Sequence, residues 1–155
     1  MTPPVKLQDL LEGMDFQSDA QSSFLNLTTG DVVAITDEEF RAAEQDAPLE
    51  TFPAWQHEAM RIARDIVATD HYLPLPDRYE INAYQIMERF CLSVDDEDLR
   101  EDLCTAIRGR GAFRRFKDRM QLYGMAEAWY RYRDEALREI AVAWCEAHGI
   151  RYTET

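Results

Sequence analysis

Lysine is nearly absent from this chain: of 17 basic residues only Lys6 and Lys117 are lysines. Cationic chemistry here is therefore guanidinium chemistry, suited to planar, bidentate recognition of carboxylate or phosphate, although genome composition accounts for the same bias. Cysteine is also scarce. Cys91, Cys104 and Cys145 are odd in number, widely spaced and set in helical-looking segments, a pattern that argues against a disulfide framework or a Cys-rich metal site and suits reduced, structural thiols. No run of 18 apolar residues occurs, and Met1-Thr2-Pro3-Pro4 lacks a charged start followed by an apolar stretch. The expectation is a protein with no membrane span and no secretory leader, located in the cytoplasm. The three histidines leave little for catalysis: His57-Glu58-Ala59-Met60-Arg61 misses the zinc-protease pattern because its last residue is arginine. No serine or cysteine has a nucleophile context. Neither a metal nor a cofactor is expected. Repeats and glycine-rich linkers are lacking too, so residues 1–155 read as one domain: a helix and hairpin in 1–47, a helical body in 54–149 and a short tail in 150–155.

Acid is plentiful: 30 carboxylates against 17 bases give a net charge of −13. With 46% hydrophobic and 11% aromatic residues, the chain still buries enough apolar area to offset its ordering entropy.

Hydrophobic spacing predicts a mostly α-helical α+β fold of about seven helices. Leu7, Leu10, Leu11 and Met14 mark a first helix near residues 5–13. Two β-rich runs flank Thr29-Gly30-Asp31 and predict a hairpin at residues 22–36, with Gly30 at positive φ. A lone hairpin is marginal in water, so it must dock on helices, gain a strand from the tail near Ile150 to Tyr152, or pair with a second copy. Thr36 and Glu39 form a capping-box pattern for a helix at 37–45. Trp55, Ala59, Ile62, Ala63 and Ile66 share one face of a helix at 54–69, and Tyr72-Leu73-Pro74-Leu75-Pro76 reads as a loop. Seven apolar residues among the ten from Ala83 to Leu92 mark residues 78–92 as the central helix. Further helices are expected after the acidic opening at Asp95, at 112–122 and at 125–148.

The densest positive charge lies in Arg108-Gly109-Arg110-Gly111-Ala112-Phe113-Arg114-Arg115-Phe116-Lys117-Asp118-Arg119. Six bases against one acid make it +5 and leave −18 on the rest of the −13 chain. Phe113, Phe116 and Met120 share one helical side and read as core. Gly109 and Gly111 permit a sharp turn that presents backbone N–H groups, so Arg108, Arg110, Gly111, Arg114 and Arg115 form a candidate anion site. The same cations can instead be neutralised by the acids of residues 95–102. Arg115 and Arg119, like charges four apart, call for an anion between them, either a ligand or the protein's own carboxylate.

Arg133 interrupts the apolar stripe of the last helix. A buried guanidinium is costly unless paired, so it is expected either to meet Glu80 or Glu88 or to line a cleft.

The runs from Tyr72 through Ile81, Ile86-Met87-Glu88-Arg89-Phe90 and Ala106 through Asp118, together with Trp129-Tyr130-Arg131-Tyr132-Arg133, Ile140-Ala141, Trp144 and Gly149-Ile150, resemble the bacterial uncharacterised protein family 0158. Leu25-Asn26-Leu27-Thr28-Thr29-Gly30 is similar to that family's strand and turn, except that Asn26 stands where aspartate is expected. The resemblance implies no activity and no catalytic residue.

The functional expectation is a non-enzymatic binding or regulatory protein that holds a small phosphate-bearing ligand or an acidic protein surface at residues 108–119. One alternative is an enzyme acting on a phosphate-bearing substrate, with the same arginines and a carboxylate such as Glu80 as base. Another is a nucleic-acid-associated regulator with a localised basic contact, which the −18 remainder disfavours. The hairpin edge offers a place for a second copy to pair.

Overall fold

The structure is a computed structural model describing residues 3–154. Met1 and Thr2, within the segment read above for a leader, and Thr155 at the end of the tail lie outside the described residues. The architecture is mostly helical α+β, with seven helices of eight or more residues and small β-structures among the described residues. Contacts group the chain into two compact units: residues 1–80 with 140–155, and residues 81–139.

The first unit is built on a three-stranded antiparallel sheet. After β1 (Val5–Lys6) and α1 (Leu7–Phe16), β2 (Gln21–Asn26) and β3 (Val32–Thr36) form the expected hairpin, with Gln21 opposite Thr36 and Leu25 opposite Val32. Its turn is tied by Asn26, whose Oδ1 accepts the N–H groups of Thr28 (2.9 Å) and Thr29 (3.3 Å), and Gly30 supplies φ +79°. Asn26 thus has a structural task at the position where the family resemblance leads one to expect aspartate.

The third strand is a departure from expectation. Tyr72–Pro74, here β4, pairs with β2 so that the order is β3-β2-β4. Its prolines suggested a loop, but proline is tolerated on an edge strand, where its missing N–H breaks no ladder. The tail does not join this sheet. Its strand β5 (Tyr152–Thr153) pairs in parallel with β1 instead.

The close approach of α1 to the sheet depends on Gly13. A Cβ there would lie 2.7 Å from Val32 Cγ1 and 2.8 Å from Leu75 Cδ1, while Gly13 O accepts the buried Ser23 hydroxyl at 2.7 Å. On the hairpin's other flank, α2 (Asp37–Glu44) follows β3 directly. Its capping box is complete: Glu39 N–H donates to Thr36 Oγ1 and Thr36 N–H to Glu39 Oε1. Gln56 satisfies Glu39's other oxygen, so this buried carboxylate has hydrogen-bond partners on both oxygens. α3 (His57–Ala68) buries Met60 and Ala63 against Ile35 and Ala43. Trp55 is not part of that face. It precedes the helix in a 3₁₀ turn, Ala54–Gln56, and is 81% exposed, because a helical period does not extend across the turn.

The expected helix at 78–92 is interrupted. A single turn, α4 (Arg78–Ile81), is followed by Asn82 at φ +49° and then by α5 (Ala83–Leu92), which Asn82 caps by accepting the Gln85 N–H. Asparagine is among the few non-glycine residues that enter this left-handed region readily. In the second unit, α5 packs Met87, Phe90 and Cys91 against Leu103, Ile107, Phe116 and Met120 from α6 (Glu97–Ala106), its C-terminal turn and α7 (Ala112–Leu122). Phe90 is central here, with edge-on rings from Phe116, Trp129 and Tyr132 at 6.1, 5.3 and 5.3 Å. α8 (Ala126–His148) continues into the first unit at Ile140. Among the described residues no helix is long and apolar enough to cross a membrane.

Gly13→Ala separates two opposing effects. Helix propensity favours alanine by about 1 kcal/mol, but overpacking against Val32 and Leu75 costs roughly 1–3 kcal/mol. The variant is expected to be the less stable in urea denaturation; a gain in midpoint would contradict the close packing.

Candidate functional site

The turn between α6 and α7 is assembled from both helices. At the start of α6 the acidic run is spent locally: Asp96 caps the helix by accepting the N–H groups of Asp98 (3.0 Å) and Leu99 (3.2 Å). At its end the chain turns through Gly109 at φ +73° and Gly111 at φ +76°. Helix C-termini leave carbonyls without partners inside the helix. Here three consecutive carbonyls receive side chains. Arg115 donates through Nε to Ala106 O and through Nη2 to Arg108 O, both at 2.6 Å, and Tyr84 Oη donates to Ile107 O at 2.9 Å. A guanidinium at this position also complements the negative end of the α6 dipole.

Arg115 is therefore occupied in holding the turn. Arg119 is occupied as well: its Nε lies 3.0 Å from Asp102 Oδ2, which also accepts the Tyr123 hydroxyl. The two like charges four residues apart are thus directed to different acceptors. The remaining candidates are placed otherwise. Arg108, Arg110 and Arg114 are exposed, and among the described residues none of their guanidinium groups has a hydrogen bond or an ion pair. Gly111 has no side chain with which to cap α7, so the first-turn N–H groups lack a side-chain acceptor. The turn therefore presents three arginines to solvent beside the start of α7.

The other candidates fall elsewhere. Glu80 Oε1 accepts the Asp77 N–H while Asp77 Oδ1 accepts the Glu80 N–H, and both residues line a cavity of about 290 Å³ in the first unit together with Trp144 and His148. Glu88 lies on the exposed side of α5. Arg133 is half-buried and lines a cleft of about 330 Å³ in the second unit, beside Lys117, Trp129 and Tyr130. Phe113 corrects the helical-face reading. Phe116 and Met120 are buried, but Phe113 is 49% exposed on the same cleft, with its ring edge-on to Tyr84 at 6.4 Å. Its place in the first turn of α7, next to the open side of the glycine turn, is the signal that separates it from Phe116.

Asp102 belongs to the acids of residues 95–102 that the sequence offers as partners for this cluster, and it takes Arg119. Tyr84 and Tyr123 are not singled out by the sequence, since each acts across helices. Burial pushes the Cys91 thiol up to about 12 and the Cys145 thiol up to about 11, so neither suits a thiolate nucleophile. Among the described residues, no group of three or more His, Cys, Asp or Glu side chains could hold a metal.

These features describe an acidic, mostly helical protein with a basic turn between two helices. The chain belongs to the Uncharacterised protein family (UPF0158), whose family model matches residues 2–154. Over 67 residues, 43% of this chain, it is 33% identical to the UPF0158 protein PA5073 of Pseudomonas aeruginosa. That match spans 44% of the relative's length. No solved structure matches the chain.

The Tyr123 hydroxyl, followed by the charge of Arg119, holds the Asp102 carboxyl below its ordinary value; the same hydrogen bond raises the Tyr123 phenol above its own. A lowered carboxyl contributes stability that is lost as pH falls through its folded value. A raised phenol contributes stability that is lost as pH rises beyond about 10. Tyr123→Phe should therefore melt below the parent near neutral pH, with the difference shrinking at both extremes. A difference constant across the pH range would refute the linkage.

Proposed function

We propose that this protein is a non-enzymatic binding or regulatory protein that holds a small phosphate-bearing ligand at the α6–α7 turn. The observation that carries this reading is the division of labour among the arginines. Arg115 is spent on the protein's own carbonyls, while the guanidinium groups of Arg108, Arg110 and Arg114 have no protein partner among the described residues. Arginines close in sequence to a helix N-terminus suit phosphate oxygens, which accept both bidentate N–H pairs and backbone donors. Among the described residues no acid at positions 95–102 pairs with these three guanidinium groups; Asp96 is used as a cap and Asp102 by Arg119 and Tyr123.

A small ligand fits better than an extended polyanion, because the −18 carried outside the segment repels a long phosphate backbone. Glu80, one candidate base for the enzyme reading, exchanges side-chain-to-backbone hydrogen bonds with Asp77. Three free cysteines, two of them fully buried, suit a reducing compartment and support a cytoplasmic location.

Thermal-shift measurements with inorganic phosphate, nucleotides, sugar phosphates and short oligonucleotides, at low and high salt, test the reading. A ligand at about ten times its Kd adds about 1.4 kcal/mol, a rise of roughly 3–6 °C for a chain of this size. The triple variant Arg108→Ala/Arg110→Ala/Arg114→Ala should lose that rise. An equal rise in the variant would contradict the site, no rise with any small phosphate would contradict the ligand class, and a shift confined to oligonucleotides that fades with salt would favour nucleic acid instead.

A further inference from the structure

We propose that the outer edge of β3 is a docking site for an extended, positively charged segment of a partner protein, which joins the sheet there as a fourth strand. In the order β3-β2-β4, β3 has a neighbour on one side only. Its register identifies the backbone groups left over. Asn26 N–H donates to Asp31 O and Asp37 N–H to Ala20 O, both at 2.8 Å, and hydrogen-bonded pairs alternate along an antiparallel ladder. Val33 and Ile35 therefore bond toward β2, whereas Val32, Ala34 and Thr36 turn their N–H and C=O groups outward. Thr36 N–H is taken by Glu39 Oε1. Among the described residues, the outward groups of Val32 and Ala34 have no hydrogen-bond partner. They offer two donors and two acceptors roughly 6.6 Å apart, the two-residue repeat of an extended chain. Edge strands are commonly blunted by lysine, proline or a bulge. The other edge, β4, ends in Pro74, but Val32–Thr36 contains neither lysine nor proline and pairs without a bulge.

A groove of about 580 Å³ lies between this edge and α1. When a peptide adds to a sheet edge, main-chain hydrogen bonds supply affinity and the adjoining walls select its side chains. Here the walls are acidic. Asp9 and Glu12 on α1 and Asp31 beside the strand line the groove, and none of its described lining residues is basic. Glu12 accepts the neutral Gln8 amide at 3.3 Å, a contact that leaves its charge in place. Asp15 lines the groove as well but already has a partner in the protein. Phe16, 67% exposed, adds an apolar shelf. Side chains alternate along a strand, so lysine or arginine at every second position of the added segment meets these carboxylates. A second copy is the wrong occupant, because pairing β3 with β3 would bring the same acids together. The groove shares no residue with the α6–α7 turn, so the two sites stand independently.

Amide NMR titration of the full chain with the capped peptide acetyl-Lys-Val-Lys-Val-Lys-amide tests the proposal. Saturable shifts are expected at Val32 and Ala34. Exchange of their N–H protons with water should slow roughly ten-fold or more in the complex, while Val33 and Ile35, already bonded to β2, keep their rates. The glutamate counterpart should bind more weakly by about ten-fold, and Asp9→Asn with Glu12→Gln should weaken the lysine peptide roughly three- to ten-fold. Backbone N-methylation distinguishes the orientations. Val32 faces α1, since a Cβ at Gly13 would touch its Cγ1. An antiparallel strand with lysines on that face therefore bonds through its lysine amides, and a parallel one through its valine amides. Methylating one set should abolish binding. The proposal is overturned by no saturable shift at Val32 and Ala34, by equal binding of the glutamate peptide, by full affinity in the double variant, or by binding that survives either methylation. Slow exchange of Val32 and Ala34 in the free protein that is lost on dilution would overturn it in favour of a second copy.

Discussion

One guanidinium holds the α6–α7 turn together. Arg115 reaches back along the chain to two carbonyls at the end of α6, and Tyr84 takes the carbonyl between them. The bond to Ala106 O is partly buried, where a hydrogen bond to a charged group contributes about 1.5–3 kcal/mol; the bond to Arg108 O is exposed and contributes less. A turn with two left-handed glycines would otherwise have few internal ties. The tie fixes the direction in which α7 leaves the turn, and so decides which of its side chains face solvent. The crowding is already close: a Cβ at Gly111 would lie 3.1 Å from Arg115 Nη1.

The acids show why a strongly negative chain can leave cations unpaired. Several of its carboxylates are committed within a few residues of their own position. Asp96 caps α6, Asp77 and Glu80 bind each other's N–H groups, and Glu39 completes the capping box of α2. Asp102 reaches across to α7, where it takes Arg119 and Tyr123. Average charge is therefore a poor guide to local pairing. The −13 total describes long-range repulsion, which limits the size of an anionic partner, whereas the turn and the edge of β3 are governed by contacts of a few ångströms.

Local rules made much of the fold legible. The hairpin register follows from Thr-Gly at its turn, the capping box from Thr36 and Glu39, and the buried stripe of α1 from its three- and four-residue spacing. Features decided by distant contacts were less visible. Tyr72–Pro74 forms a strand only because β2 offers an open edge, and the tail finds β1 instead of that sheet. The helix at 78–92 breaks at Asn82, whose left-handed backbone is compatible with asparagine but not announced by it. At the candidate site, the glycine turn and its arginines were readable as a cluster. Which arginine holds the turn was not, because that depends on where the carbonyls of residues 106 and 108 lie relative to α7.

The most direct test of the central claim is side-chain NMR of the arginine Nε–H groups in the free protein. The account predicts that the Arg115 Nε proton exchanges slowly with water, while those of Arg108, Arg110 and Arg114 exchange rapidly until a phosphate-bearing ligand is added. Equal exchange at Arg115 and Arg114, or protection of Arg110 and Arg114 without ligand, would contradict it.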